Sequence, residues 1–373
     1  MTDLVLVGAL THAPLLGIVL GRTFISAAAD LAGFALDRTD AHDDALVLPV
    51  GQGEVPCCVL KGATAQDIAR VSYFYADTGC RLSDVRLSDG RHLRMLARPR
   101  VDAGADPRQP WCLDGWEAAH APLAIAVAQD AMAWFGQVPG REVWARAPMM
   151  RVRAASRLRA QAEAAAGDVL RRTAASGDVT AIARRQPYGH FFAVEEYDLH
   201  HSRFDGTRSG VINRAAFVSG DAATVLPYDP RRDRVMVIEQ FRTGPYARGD
   251  VNPWLLEPIA GRVDPDETPE QTARREAMEE AGVSLGALLP IANYYPSPGA
   301  KSEFLYCYLG IADLPVLGSG LGGLAEEHED IRAHVIGFDD LMQVATMPEG
   351  ATGPLIVSAL WLAANRDRLR AGM

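Results

Sequence analysis

Three carboxylates crowd into five positions of one short stretch, at Glu276, Glu279 and Glu280. In an α-helix, residues three and four apart lie on the same face, so these side chains would project close together. Like charges at this spacing cost about 0.2–0.5 kcal/mol per pair unless a cation neutralises them. Carboxylate oxygens suit hard divalent ions, which makes Mg²⁺ the expected partner and Mn²⁺ the alternative. A solvated helix with ordinary Glu–Arg pairs explains the same cluster equally well.

Local signals bound this helix at both ends. Thr268 suits the N-cap and Pro269 the first helical position, and Gln271 completes a capping box. Gly282 supplies the left-handed residue that ends a helix. The sequence therefore predicts a helix between Thr268 and Gly282 that presents the carboxylates on one side.

A longer stretch around the carboxylates, residues 261–283, resembles the Nudix box at every specified position. The matching residues are Gly261, Glu267, Arg275, Glu276, Glu279, Glu280, Gly282 and Val283. In that family the box forms a loop, a helix and a loop that hold metal ions against a pyrophosphate. The resemblance implies that Glu276 and Glu280 are metal ligands, with backbone oxygen from the Gly261 region. It also places Glu279 among the catalytic residues.

The second half of the chain, from Tyr188 onward, resembles bacterial ADP-ribose pyrophosphatases, a subgroup of the same family. Besides the box, the likeness is carried by residues 191–206, 225–242, 297–303 and 323–335. It implies that Glu327 is the general base and that Glu329 makes a further metal contact. Within the box, it implies that Arg275 pairs with Glu267 and belongs to the catalytic group.

The same resemblance implies the substrate contacts. Arg242, at the end of an apolar strand, is expected to contact the diphosphate. Phe191, Phe192 and Arg214 are expected to contact adenine by stacking, cation–π or hydrogen bonds. Because side chains alternate along a strand, only one of the two phenylalanines is expected to face the site. The other implied substrate-binding residues are Pro298 and Glu303.

The N-terminal part begins with an apolar strand and a His/Pro turn in residues 4–14. This opening resembles the gamma-glutamylcyclotransferase-like (AIG2-like) fold, which implies a small mixed β-barrel. Val7 and Ala9 stand where that family carries a tyrosine and a hydroxyl residue, and Tyr75 lies near its proton-handling acid. We interpret the domain as a degenerate relative used for binding, packing or oligomerisation. Asp77 could replace the missing acid, so cyclotransferase activity stays open as an alternative.

Length and pattern together predict two domains, because single cores rarely grow past about 250–300 residues. We place the cyclotransferase-like domain at 1–148, an Arg- and Ala-rich helical linker at 149–183, and the Nudix domain at 184–373. The two resemblances imply the fold class α+β/α/β, with a Nudix α/β/α sandwich preceded by the small mixed barrel. The fused form resembles two-domain Nudix proteins linked to tellurite resistance.

Composition narrows the partners. The chain has 37 Lys+Arg against 47 Asp+Glu, and this net charge of −10 argues against broad binding of nucleic acid or anionic membranes. Five cysteines without a CxxC pair suggest neither a disulfide framework nor a structural zinc site, which fits a reducing cytoplasm. No segment is long and apolar enough to predict a membrane span.

These observations lead to one main functional hypothesis. We expect Mg²⁺-dependent hydrolysis of the diphosphate of ADP-ribose to AMP and ribose 5-phosphate, in a homodimer that exchanges its N-terminal Nudix sheet, as the resemblance implies. One alternative is hydrolysis of another nucleoside diphosphate sugar. Another is a non-catalytic nucleotide sensor or scaffold, which the retained charge cluster disfavours.

Overall fold

The computed structural model describes residues 2–38, 45–76, 80–97, 110–162, 170–315, 318–323, 329–347 and 351–372. The chain divides into two compact units, Met1–Ala154 and Ala155–Met373. The division falls inside one helix. None of the helices in these ranges is long and apolar enough to cross a bilayer.

Unit 1 is built around a five-stranded mixed sheet. Its described elements are β1 (Thr2–Val7), α1 (Ala13–Leu20), β2 (Ser26–Arg38), β3 (Ala45–Ala63), α2 (Ala65–Phe74), β4 (Arg81–Arg86), β5 (His92–Ala97), α3 (Leu113–Ala119), α4 (Ala121–Met132), α5 (Gly140–Trp144) and the first half of α6 (Ala147–Ala162). The strand order is β2-β3-β1-β5-β4, with only β1 and β5 parallel among the described neighbours. The backbone of Ser88 also donates to the carbonyl of Asp30 at 2.9 Å, so the two edge strands meet at one end.

Strands β4 and β5 form a hairpin in unit 1, since they pair antiparallel around a turn with Gly90 at φ +90°. The residues that depart from the cyclotransferase pattern are buried: Val7, Ala9 and Tyr75 belong to the core. Asp77 lies outside the described residues. The likeness of this unit to the cyclotransferase-like fold stays a prediction.

Unit 2 contains two sheets. Its described elements after α6 are β6 (Val179–Gly189), β7 (Ala193–His201), β8 (Ile212–Val218), β9 (Ala222–Asp229), β10 (Arg234–Phe241), α7 (Thr243–Arg248), β11 (Trp254–Glu257), β12 (Ile259–Arg262), α8 (Pro269–Ala281), β13 (Leu288–Tyr294), β14 (Leu305–Ile311), β15 (Gly318–Gly322), β16 (Ile331–Gly337), α9 (Phe338–Thr346) and α10 (Gly353–Ala371). Strands β6, β7 and β8 form a small antiparallel sheet.

The larger sheet runs β13-β14-β9-β10-β16-β15, with β11 added to β10 and β12 added to β9. Alternate residues of β10 enter two different cores. Met236 and Ile238 pack with residues of α8, whereas Val235 and Val237 pack with residues of α9 and α10. The sheet therefore lies between helices on both faces, which confirms the predicted α/β/α sandwich.

Residues 149–183 differ from the predicted helical linker. α6 ends at Ala162, residues 170–178 contain no helix, and β6 begins at Val179. The predicted helical linker at 149–183 is therefore wrong for residues 170–183. Helix propensity is a weak prior, and here pairing of β6 with β7 decides the end of this segment.

The second half of α6 is anchored to unit 2 by a buried carboxylate. Asp221, which is 3% exposed, accepts a hydrogen bond from Ser156 Oγ at 2.6 Å and one from Arg159 Nε at 2.8 Å. Arg159 Nη2 also donates to the carbonyl of Val263 at 3.3 Å, in the loop just after β12. α6 thus holds the start of the loop that leads into α8.

We expect the double substitution S156A/R159A to lower the free energy of unfolding of unit 2 by about 3–5 kcal/mol, because it leaves a buried carboxylate unpaired. Chemical denaturation of the full chain, followed by hydrogen exchange in β9 and β12, measures the loss. Gln161→Ala, an exposed change on the same helix, serves as the control. Equal stability of the double variant and this control would contradict the anchoring role.

Candidate active site

α8 forms as the sequence predicts. Thr268 Oγ1 accepts from the backbone of Gln271 at 3.3 Å, and Gln271 Oε1 accepts from the backbone of Thr268 at 2.8 Å. Pro269 occupies the first turn, and Gly282 closes the helix at φ +63°. The capping box and the left-handed glycine fix both ends, so the helix presents its carboxylates in a defined frame.

Arg275 is the centre of the charge network on α8. Its Nε donates to Glu267 Oε1 at 2.9 Å and its Nη2 to Glu267 Oε2 at 3.1 Å. Its Nη1 donates to Glu276 Oε1 at 2.7 Å and to Glu279 Oε2 at 2.9 Å. The implied Glu267–Arg275 pair is therefore present, and hydrogen bonds from Arg275 hold the pKa of Glu267 below its usual value. The single positive charge of Arg275 therefore partly neutralises the carboxylates of Glu267, Glu276 and Glu279.

Glu280 lies deepest in the cluster, at 2% exposed. Its Oε2 accepts a hydrogen bond from the backbone of Ala260 at 3.2 Å. Burial, together with repulsion from Glu276, raises the pKa of Glu280 to about 8. Burial also raises the pKa of Glu276 to about 7, against the attraction of Arg275. Buried carboxylates that resist ionisation are typical of sites that receive a cation.

Glycine at 261 is required by close packing of β12 against α8. A Cβ atom added to Gly261 would lie 1.7 Å from Glu276 Oε1. Gly322 in β15 has a similar role, since its Cβ would lie 1.8 Å from the carbonyl oxygen of Glu280. Gly261 therefore lets the β12 backbone lie beside the Glu276 carboxylate, whereas Gly322 lets β15 lie against the backbone of α8 at Glu280.

Arg242 lies near this cluster and is held by a partner that the sequence did not indicate. Its Nε donates to Glu257 Oε2 at 2.7 Å, and Gln240 Nε2 donates to the same oxygen at 3.2 Å. The attraction of Arg242 acts to lower the pKa of Glu280. The strand pair β10 and β11 thus orients this guanidinium on the α8 side of the sheet.

The aromatic pair lies in the turn between β6 and β7, so the expectation from strand alternation does not apply. The guanidinium carbon of Arg262 lies 4.0 Å from the ring centroid of Phe191 and 5.1 Å from that of Phe192. Both rings therefore contact one cation, which was not predicted. No local pattern could have indicated Arg262, because about seventy positions separate it from the rings.

The remaining predicted substrate residues fall in two places. Arg214 is exposed on β8, and its guanidinium donates to the carbonyl of Asn213 at 2.7 Å. The Pro298 loop is joined to β8 through Phe217, whose backbone donates to Ala300 at 2.8 Å and accepts from Ser302 at 3.0 Å. The loop that holds Pro298 and Glu303 thus lies beside the β6–β8 sheet. The described contacts do not bring Arg214 to the carboxylates.

Glu329 is described, and its charge acts to raise the pKa of both Glu276 and Glu280. Glu329 therefore lies close enough to Glu276 and Glu280 for its charge to repel theirs. Glu327, the expected general base, lies outside the described residues. Its role stays a prediction.

A cavity of about 310 Å³ opens near β10, β11 and β16, lined by Glu239, Asn252, Trp254, Leu321, Asp330 and Arg332. Glu239 lies on the same face of β10 as Val235 and Val237, and those valines pack toward α9 and α10. This cavity therefore lies on the face of the sheet opposite α8, and we do not assign it to the carboxylate site.

Comparisons of the sequence with known proteins identify its family. A family model described as NUDIX domain matches residues 218–353. The chain is 37% identical over 198 residues to the ADP-ribose pyrophosphatase of Escherichia coli (strain K12), and the match covers 53% of this chain and 94% of that protein. The chain belongs to the Nudix hydrolase family.

Other relatives of this Nudix hydrolase are named for substrates other than ADP-ribose. The chain is 30% identical over 190 residues to the GDP-mannose pyrophosphatase of Pectobacterium atrosepticum, covering 50% of this chain and 95% of that protein. A structural match to a solved ADP compounds hydrolase covers 52% of this chain and 98% of the hydrolase, at 19% identity and with a TM-score of 0.40. The matches to curated relatives span about half of this chain.

The donor set of this Nudix hydrolase fits a hard divalent cation. Glu276 and Glu280 supply carboxylate oxygens, and a bound cation would stabilise their ionised forms, which burial disfavours. The space beside Glu276 is open only because residue 261 is glycine, since a Cβ there would fill it. In the described ranges, however, no three His, Cys, Asp or Glu side chains form a ready coordination shell. Arg275 bonds to Glu276 and Glu279, so a cation would have to compete with this guanidinium for their oxygens.

Proposed function

We propose that this Nudix hydrolase cleaves the diphosphate of ADP-ribose in a Mg²⁺-dependent reaction that gives AMP and ribose 5-phosphate. The observation that carries the proposal is the buried cluster of Glu276 and Glu280 beside the β12 backbone. The choice of ADP-ribose is supported by the 37% identity to an ADP-ribose pyrophosphatase across 94% of that protein.

In the proposed reaction, water attacks one phosphorus of the diphosphate and the bridging P–O bond breaks. A bound Mg²⁺, with Mn²⁺ as the alternative, would neutralise the charge of the diphosphate. Glu276, Glu280 and Glu329 would hold it with backbone oxygen near Gly261. Arg242, already oriented by Glu257, would donate to a phosphate oxygen through its remaining N–H groups.

The other residues divide by task. Glu327 would accept the proton of the attacking water, and this assignment comes from the resemblance of residues 323–335 to the ADP-ribose pyrophosphatases. Arg275 holds Glu276 and Glu279 in place through its hydrogen bonds and so acts by positioning. Phe191 is 55% exposed and lies beside the Arg262 guanidinium, so the turn that holds it is the proposed end of the site for the nucleobase.

Hydrolysis of GDP-mannose is the second candidate, favoured by the 30% identity to a GDP-mannose pyrophosphatase. We expect kcat/KM with Mg²⁺ to be at least about tenfold higher for ADP-ribose, which corresponds to about 1.4 kcal/mol of transition-state binding. Chromatography of the products from both substrates measures this ratio. A ratio in favour of GDP-mannose would move the proposal to the second candidate.

We also propose a homodimer formed through the β6–β8 sheet. Support comes from exposed apolar side chains on and beside its strands, namely Val179, Ile182, Phe204 and Val211, which are 56–95% exposed. We propose that unit 1 is a cyclotransferase-like domain that serves as a binding or packing module.

A further inference from the structure

Arg262 connects two parts of the site that the other described residues leave separate. Its carbonyl oxygen accepts a hydrogen bond from Arg275 Nη2 at 3.4 Å, so its backbone borders the carboxylate network. Its guanidinium lies over the ring of Phe191, with a carbon-to-centroid distance of 4.0 Å. One residue of β12 thus reaches from the box to the aromatic turn.

The two phenylalanine rings that contact Arg262 are held in place by other aromatic side chains. Phe191 packs edge-on against Phe192, with centroids 4.9 Å apart, and Phe192 packs against Phe217 at 4.6 Å. Phe217 is tied by backbone hydrogen bonds to Ala300 and Ser302. These contacts restrict the rings, so the face that carries the guanidinium is a prepared surface.

We propose that Arg262 is a specificity-determining residue that binds the nucleobase of the substrate by stacking. The guanidinium of Arg262 is partly buried and lies 4.0 Å from the Phe191 ring centroid, and the base would stack on the guanidinium face that points away from this ring. This inference rests on the proposed function, because it assumes that a nucleotide binds at the carboxylate site with its base toward the β6–β7 turn.

The chemistry of the guanidinium favours this role. A guanidinium is flat and weakly hydrated, so it stacks on a ring with one face and on a planar ligand with the other. A lysine ammonium carries the same charge but offers no plane. A purine has a larger π face than a pyrimidine, so stacking on Arg262 selects purine nucleotides.

The alternative role for Arg262 is attraction of the diphosphate by charge alone. The two roles differ in what they require. Stacking requires the plane and the base, whereas attraction requires only the positive charge and a phosphate. Ligands that carry one half of the substrate each can therefore separate them.

The test measures equilibrium binding by calorimetry, using the full-length chain with Mg²⁺ and the ligands AMP, CMP and ribose 5-phosphate. The variants are Arg262→Met and Arg262→Lys. Arg231→Met, an exposed arginine in the turn between β9 and β10, controls for loss of one positive charge. Melting curves of each variant check that the fold is kept.

We expect Arg262→Met to weaken AMP binding by about 3- to 30-fold, the range given by cation–π contacts. Arg262→Lys should not restore it, CMP should lose less than AMP, and ribose 5-phosphate should bind as in wild type. Rescue by lysine, equal losses for AMP and ribose 5-phosphate, or no binding of AMP by wild type would each overturn the proposal. Wild type that binds AMP through Arg262 but does not cleave ADP-ribose would instead contradict the proposed function.

Discussion

Replacing Glu280 by glutamine is expected to raise the free energy of unfolding of unit 2 by about 2–4 kcal/mol at pH 9 in the presence of a chelator. Glu280 is 2% exposed and accepts one backbone hydrogen bond, from Ala260, which an amide oxygen can also accept. The substitution therefore removes a buried charge and keeps its hydrogen bond. Glu280, which we propose as a metal ligand, therefore lowers the free energy of unfolding when no metal is bound.

The sign of the pH dependence follows from the raised pKa of Glu280, which burial moves from 4.5 to about 8. Below pH 4.5, both folded and unfolded chains hold the proton, and the carboxyl group carries no penalty. Between pH 4.5 and 8, the unfolded chain loses the proton first, so wild-type stability falls as pH rises. The advantage of Glu280→Gln should therefore grow across this window.

Urea unfolding at pH 5, 7 and 9 measures the difference. Glu270→Gln, an exposed carboxylate in the first turn of the same helix, is the matched control. Excess Mg²⁺ should stabilise wild type and have less effect on Glu280→Gln. A variant that is no more stable than wild type at pH 9 would show that Glu280 is not strained by burial.

Replacing Arg275 by alanine is expected to lower the free energy of unfolding of unit 2 by about 2–4 kcal/mol. The substitution removes hydrogen bonds to Glu267, Glu276 and Glu279 at once and leaves three carboxylates without their shared cation. The side chain is only 30% exposed, so solvent cannot replace all of these contacts.

Arg274→Ala on the same helix is the control, because its guanidinium donates only to the carbonyls of Leu285 and Gly286 in the described contacts. Thermal melting with chelator and with Mg²⁺ provides the measurement. Mg²⁺ should restore more stability to Arg275→Ala than it adds to wild type, because it then meets three unneutralised carboxylates. Similar losses in the two alanine variants would argue that Arg275 is an ordinary surface residue.

The parts of the site that the sequence predicted are those governed by short-range rules. Thr268, Gln271 and Gly282 define α8 through contacts within four residues, so its ends could be placed from spacing alone. The Glu267–Arg275 pair joins residues eight positions apart, and it was implied by the resemblance to the Nudix box. The sandwich was implied by the resemblance of residues 261–283 to the Nudix box, and the arrangement of α8, α9 and α10 on the two faces of the sheet agrees with it.

The parts that were missed depend on contacts between distant elements. Arg262 meets Phe191 only because the β6–β7 turn folds over β12, and no periodicity signals such an approach. Glu257 became visible as the partner of Arg242 only once β11 was paired with β10. The helix expected at residues 170–183 failed because propensity does not show which segment a sheet will recruit.

The central claim is that this chain uses the buried carboxylates of α8 to hydrolyse ADP-ribose. The most direct test incubates ADP-ribose and Mg²⁺ with wild type and with Glu280→Gln, and quantifies AMP and ribose 5-phosphate. We expect equimolar products from wild type and a rate lower by about 10²-fold or more in the variant, because the variant would lose a ligand of the metal that stabilises transition-state charge. Absence of wild-type cleavage above the level of Glu280→Gln would contradict the account.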